Sequence, residues 1–246
     1  LDWLNPSIIP SMAVRGAGPF QKKSPLRALA VFPSWDRLVI AVSPRLGIAS
    51  MEELIAKKPK MRVSIAVNDC VDFAIKFLLK AHGISQNTFI KWGGKVDEVV
   101  RPSNPHRRAG IVSGKLDMVI DEGMDSWGDV AVQHGMKFLS YSEPVLRQLE
   151  KYGFQRARLD HGRIDGIDDP TTVVDFSGWP LVVHKKFPAD LAYHIVGVLD
   201  KIREEIPYDA VETPTMKQLC TNTEAGPLDF PLHPGAERYY REKGYL

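Results

Sequence analysis

The residues able to do chemistry cluster where short apolar runs give way to turns. The run Asp117 to Ile120 leads into Asp121-Glu122-Gly123-Met124-Asp125-Ser126-Trp127, two adjacent carboxylates followed by an indole. Such a pair can accept hydrogen bonds from a ligand's hydroxyl or amide groups, or bind an ammonium. Both side chains can equally cap the next helix, whose dipole favours negative charge. The run Met61 to Val67 ends in Asn68-Asp69-Cys70. Backbone N–H groups at a helix start there can hold an anion, although Asp69 opposes a carboxylate and suits the capping role. Past Trp92, the segment Arg101-Pro102-Ser103-Asn104-Pro105-His106-Arg107-Arg108 offers guanidinium forks for a carboxylate, or simply a solvated basic loop. Trp3, Trp35, Trp127, Phe176 and Trp179 each lie within two residues of Pro, Gly, Ser or Asn. Those turn-like settings suit the lining of a ligand pocket as well as a core.

Catalytic signatures are missing: there is no GxSxG elbow, no Walker lysine loop and no HExxH. Gly16-Ala17-Gly18 does not follow a strand and open a helix, as a dinucleotide loop must. Asp121 or Glu122 could serve as a base, since paired carboxylates can have one pKa raised, but no nucleophile or oxyanion device accompanies them, and no enzyme is expected. Asp160-His161 with Asp165, Asp168 and Asp169 comes nearest to a metal-ligand set. No two of these sit at helical or strand spacing, so they read as a solvated loop, and neither metal nor cofactor is expected. Cys70 and Cys220 are too far apart for a CxxC pair and read as free, mostly buried thiols.

The elements that must position these residues follow from punctuation and periodicity. Strands are expected at Arg37 to Val42, Met61 to Val67, Thr88 to Trp92, Asp117 to Asp121, Lys137 to Ser140 and, despite Pro180, Trp179 to Val183. Ser50 and Glu53 form a capping box for a helix that Pro59 stops. Asn68 or Asp69 opens a helix with Val71, Ala74, Phe77, Leu78 and Ala81 on one face, ending at Gly83, and Ser142 opens another that ends at Gly153. Longer helices are expected from Pro188 to Glu205 and from Pro234 to Lys243. Strands spaced by helices imply an α/β fold with mainly parallel sheets, whose ligands sit beyond the carboxyl ends of strands.

With 246 residues, 44% of them hydrophobic, the chain can bury one large or two modest cores. Its 32 basic and 30 acidic residues leave a net charge of +2 and no strong field, so nucleic acid is not an expected partner. The longest apolar stretches, such as Leu38 to Val42, fall far short of the ~18 to 20 residues a membrane span needs.

The closing stretch Pro231-Leu232-His233-Pro234-Gly235-Ala236-Glu237-Arg238-Tyr239-Tyr240-Arg241-Glu242-Lys243-Gly244 resembles the ending of TAXI-type solute-binding proteins of TRAP transporters. In it Pro234 starts a helix, Tyr239 and Tyr240 pack, and Gly244 ends it. Gly16 to Phe20 is similar to the family's Gly-x-Gly-Pro-Phe loop, Leu26 to Val42 to its first crossing, and Ser50 to Val67 to its helix-strand pair. Ser113-Gly114-Lys115-Leu116-Asp117 resembles its Gly-x-x-Asp turn, and Phe176-Ser177-Gly178-Trp179-Pro180 its return to the first lobe.

The resemblance implies a two-lobed periplasmic-binding-protein-like fold of the second structural class, with a ligand cleft between lobes that close by hinge motion. Residues 1–42 with 180–246 would form the first lobe and 43–179 the second. Family members begin with strands and helices that would precede Leu1, so the chain is expected to be N-terminally truncated, with an unpaired sheet edge and an exposed apolar helix face on its first lobe. The implied role is a periplasmic receptor, without cofactor, that delivers a small organic solute to TRAP membrane subunits. A ligand-sensing effector domain or a small-molecule enzyme on the same fold is the alternative. Asp121-Glu122 with Trp127 and Trp179 is more acidic and aromatic than a simple dicarboxylate pocket needs. The expected solute is therefore an organic acid with an apolar or amino-bearing body, held by Arg101 or a neighbour up to residue 108 and by the Asn5-Pro6 loop. The full expected ligand set is Trp3, Asn5, Pro6, Trp35, Asn68, Asp69, Arg101, Asp121, Glu122, Trp127, Phe176, Ser177 and Trp179.

Overall fold

The computed structural model describes residues 1–67, 69–159, 164, 166–167, 170–206 and 212–246. In chain order its elements are β1 (Asp2–Trp3), α1 (Ile8–Arg15), β2 (Leu26–Phe32), β3 (Arg37–Val42), α2 (Met51–Lys57), β4 (Arg62–Ala66), α3 (Asp69–Ala81), α4 (Gln86–Lys91), β5 (Lys95–Val99), α5 (Pro105–Val112), β6 (Met118–Asp121), α6 (Gly128–Gln133), β7 (Lys137–Phe138), α7 (Glu143–Tyr152), β8 (Arg156–Leu159), β9 (Thr171–Asp175), β10 (Trp179–His184), α8 (Ala189–Ile202), α9 (Met216–Cys220) and α10 (Pro234–Glu242). They fall into two compact units, Leu1–Asp36 with Phe176–Leu246, and Arg37–Asp175. From sequence the divisions are expected at 42/43 and 179/180; β3 pairs with β6, β7 and β9 and so goes with the second unit.

The second unit is built on a sheet ordered β5-β4-β6-β3-β9-β8, with β7 beside β3. β4 runs parallel to β5 and β6 because helices carry the chain back over the sheet between these strands. β3 is antiparallel to β6, β7 and β9, as β8 is to β9. The fold is α/β with helix-flanked sheets, as expected, and its strand sense is mixed. Ser50 caps α2 by accepting the Glu53 N–H, while the Glu53 carboxylate accepts from Ala49 N–H, one residue before the expected partner. Val145, Leu146 and Leu149 line the buried side of α7, which ends at Gly153 with φ of 103°.

Residues Thr88 to Trp92, expected as a strand, lie in and just after helix α4. The Thr88 side chain accepts from the Ser85 N–H, so a local cap outweighs the β-leaning composition. The strand comes later, as β5, whose Lys-Val-Asp-Glu-Val sequence suits the sheet edge it occupies.

The first unit holds a three-stranded antiparallel sheet with β10 between β1 and β2. Pro180 is tolerated because it pairs with Val31 of β2 while two-residue β1 pairs only with Leu181 and Val182. The core joins Leu29, Phe32, Leu181 and Val183 of this sheet to Val196, Leu199, Leu219 and Tyr240 of α8, α9 and α10. The Tyr240 hydroxyl donates to the Leu29 carbonyl at 2.8 Å and that of Tyr239 to Asp200 at 2.8 Å. The C-terminal pattern is thus as expected, with Pro234 in the first helical turn, both tyrosines buried and Gly244 left-handed at φ of 73°. Gly235 permits the close packing of α10 on α8, since a Cβ there would lie 2.0 Å from the Ala189 carbonyl oxygen. Among the described residues no helix is long and apolar enough to cross a membrane.

Candidate functional site

The first unit holds three exposed tryptophans and a buried polar network, which meet in sequence at Ser34-Trp35-Asp36 and Gly178-Trp179. Trp179 lies opposite Phe32, and Trp3 opposite Leu181, two residues further along β10. Strand alternation puts all four on one face, and Trp3 stacks on Phe32 with ring centroids 4.4 Å apart. Phe32 and Leu181 belong to the core, yet Trp3 and Trp179 stay 43% and 41% exposed. Trp35, 38% exposed, precedes the point where the chain leaves this unit.

The Ser34 hydroxyl donates to the Asp36 carboxylate at 3.2 Å and accepts the Gly178 N–H at 2.9 Å. The Ser177 hydroxyl donates to the Asp36 carbonyl at 3.2 Å, which also accepts the Phe176 N–H at 3.0 Å. Ser7 N–H donates to the Ser177 carbonyl at 3.1 Å, just after the cis Asn5-Pro6 bond. Gly178 is required here. Its φ is 85°, and a Cβ would stand 2.2 Å from the Ser7 hydroxyl oxygen. Of the expected ligand residues in this unit, Phe176, Ser177 and Pro6 are buried and Asn5 is half-buried, while the three tryptophans are exposed. Sequence reasoning missed Ser7, Ser34 and Asp36; the one signal for the last two was their place beside Trp35.

In the second unit, Asp121 ends β6 fully buried and forms an ion pair with Arg107, also fully buried. Arg107 reaches it from the first turn of α5, a helix begun by Asn104, whose side chain accepts the His106 N–H at 2.9 Å. Its Nε donates to the Ser64 hydroxyl of β4 at 3.0 Å. Burial pushes the Asp121 carboxyl above its ordinary range, against the charge and hydrogen bond of Arg107 and the Glu122 N–H. Trp127 is fully buried: its indole N–H donates to the Glu122 carbonyl at 2.9 Å and the Arg107 guanidinium lies 5.7 Å from its ring centroid.

Asp121, Glu122 and Trp127 therefore come together in a closed cluster completed by Arg107. Arg101, the member of that basic segment chosen from sequence, is exposed. Helix phase distinguishes the two, since residue 107 is inside α5 and faces the sheet whereas residue 101 precedes the helix. Asn68 and the Asp160, His161, Asp165, Asp168 and Asp169 set lie outside the described residues, and of Asp69 only its place at the start of α3 is described. Among the described residues no group of three or more His, Cys, Asp or Glu side chains is arranged to hold a metal ion. Both cysteines are free, and burial pushes the Cys220 thiol up to about 11, which keeps it protonated.

Residues 124–244 match the NMT1-like family, just under half of the chain. The chain is also similar to a solved structure described as "Structure of a periplasmic transporter", at 12% identity over 99% of this chain and 74% of the other, with a TM-score of 0.42.

Proposed function

We infer that this protein is an extracytoplasmic solute-binding receptor of the TAXI type, which captures a small organic acid and passes it to TRAP-type membrane subunits without chemical change. The observation that carries this reading is the set of exposed tryptophans, Trp3, Trp35 and Trp179, the last two adjoining in sequence the hydrogen-bonded Ser34, Asp36 and Gly178. Aromatic faces give a guest contact area at low entropic cost, and the bonds of Ser34 to Asp36 and Gly178 fix the backbone on which Trp35 and Trp179 sit. The ending from Pro231 to Gly244 and the match of residues 124–244 to the NMT1-like family support it further. Asp121 and Glu122 speak against acid–base turnover, because Asp121 is engaged by a buried guanidinium and Glu122 is buried beside it.

Calorimetric titration of the protein with a panel of organic acids tests the reading. A saturable binder is expected, with affinity reduced at least tenfold in Trp35→Ala and Trp179→Ala. Arg101→Ala measures whether the exposed guanidinium contributes to holding the carboxylate. Binding unaltered in both tryptophan variants would remove the aromatic set from the site, and inertness towards the whole panel would remove the organic acid.

A further inference from the structure

A cavity of about 440 Å³ in the second unit lies between β4, β5 and α5, with Ser64, Asp97, Glu98, Arg107, Gly110 and Lys115 in its wall. That volume falls within the ~300 to 1,000 Å³ usual for small-molecule sites. One of its wall groups has unmet bonding capacity. Arg107 uses Nε on the Ser64 hydroxyl and Nη1 on Asp121, with the Pro102 carbonyl 3.5 Å from Nη1. Its Nη2, buried, has no hydrogen-bond partner among the described residues. A guanidinium nitrogen shut away from water with both N–H groups unmet is destabilising unless a guest supplies an acceptor.

The geometry points to a binding site for a small monocarboxylate in this cavity, anchored on Arg107 Nη2. A carboxylate oxygen gives the charge-assisted bond that an arginine fork favours over neutral acceptors. The Ser64 hydroxyl, which already accepts from Arg107, keeps its own proton to donate. Arg62 and Lys115 bring further positive charge to the wall. Of the two wall carboxylates, Asp97 is paired with Arg62, and Glu98 weighs against a second negative charge on the guest. The selection is therefore for a monoanion over a dianion. The site belongs to one unit and does not rest on the receptor reading.

The test is an amide NMR titration of the isotopically labelled full chain with sodium acetate, chloride holding the ionic strength constant. Saturable shifts of the Ser64 and Gly110 amides are expected, at acetate concentrations in the millimolar range, with phosphate weaker. Ala109→Leu, which adds bulk to an exposed wall residue, should weaken the effect at least tenfold, as should Arg107→Lys, which keeps a charge beside Asp121 but loses the fork. If the lysine variant does not fold, the Ala109 variant decides alone. Absent or non-saturating shifts, equal shifts with chloride, tighter binding of phosphate, or shifts undiminished in Ala109→Leu would overturn the assignment. Trp35→Ala and Trp179→Ala should leave these shifts in place, which separates failure here from failure of the receptor reading.

Discussion

The two units treat their functional candidates in opposite ways. In the first, hydroxyls and backbone groups satisfy one another below the surface and three indoles are left outside. In the second, the charged groups themselves are inside, and Trp127 is consumed as packing for Arg107. Exposure makes the first set available to a guest at little cost to the fold. Enclosure makes the fold depend on the second set, because each buried charge there depends on its partner.

Removing one member of the buried pair should therefore have the largest effect. Arg107→Met leaves Asp121 alone in the interior and is expected to destabilise the second unit by about 3 to 5 kcal/mol. Urea unfolding measures this, and Arg107→Met with Asp121→Leu should recover most of the loss. A single variant as stable as wild type would erase the contrast between the units. The first unit is expected to be sensitive in its backbone instead. Gly178→Ala demands a left-handed alanine, at about 1 to 3 kcal/mol, and drives a methyl onto the Ser7 hydroxyl. Adding Ser7→Ala should return part of that stability, and failure to do so would show that the contact is unimportant.

The smallest effect concerns pH. Burial lowers the pKa of His82, in the second unit, and of His233, in the first, from the ordinary 6.5, outweighing the opposing pull of Glu52 on His82. His233 Nδ1 also accepts the Gly235 N–H at 3.2 Å, a bond that protonation removes. As pH falls through 6.5 the unfolded chain takes up protons that the folded chain refuses, so stability should decline. The thermal midpoint is expected to be lower at pH 5.5 than at 7.5, with a shallower slope in His82→Gln and His233→Asn. A midpoint that holds or rises over that range would show that neither imidazole is buried neutral.

How far the molecule was legible differs element by element. Helix α10 could be read residue by residue because proline, the tyrosine pair and the terminal glycine act locally. Helix α7 was readable from Ser142 and Gly153 for the same reason. The segment from Ser85 to Val99 was misread because β5 is an edge strand rich in charge, while the Ser85 and Thr88 side chains cap a helix in a stretch whose composition leans towards strand. At the candidate sites, aromatic residues in turns were visible but their exposure was not. Trp35 and Trp127 look alike in sequence; one is 38% exposed and the other fully buried.

By itself the sequence determined the α/β class, the bounds of α2, α3, α7, α8 and α10 to within a few residues, the lack of catalytic signatures and the presence of acid, guanidinium and indole groups near strand ends. Tertiary structure alone decided that Arg107 and not Arg101 meets Asp121, that Ser34 and Asp36 bond to one another and to the Ser177-Gly178 turn, and that Arg107 Nη2 has no hydrogen-bond partner among the described residues. Caps, turns and periodicity are set by neighbours within a few positions of one another. Burial and ion pairing join residues such as Ser34 and Gly178, whose meeting depends on how the sheets assemble.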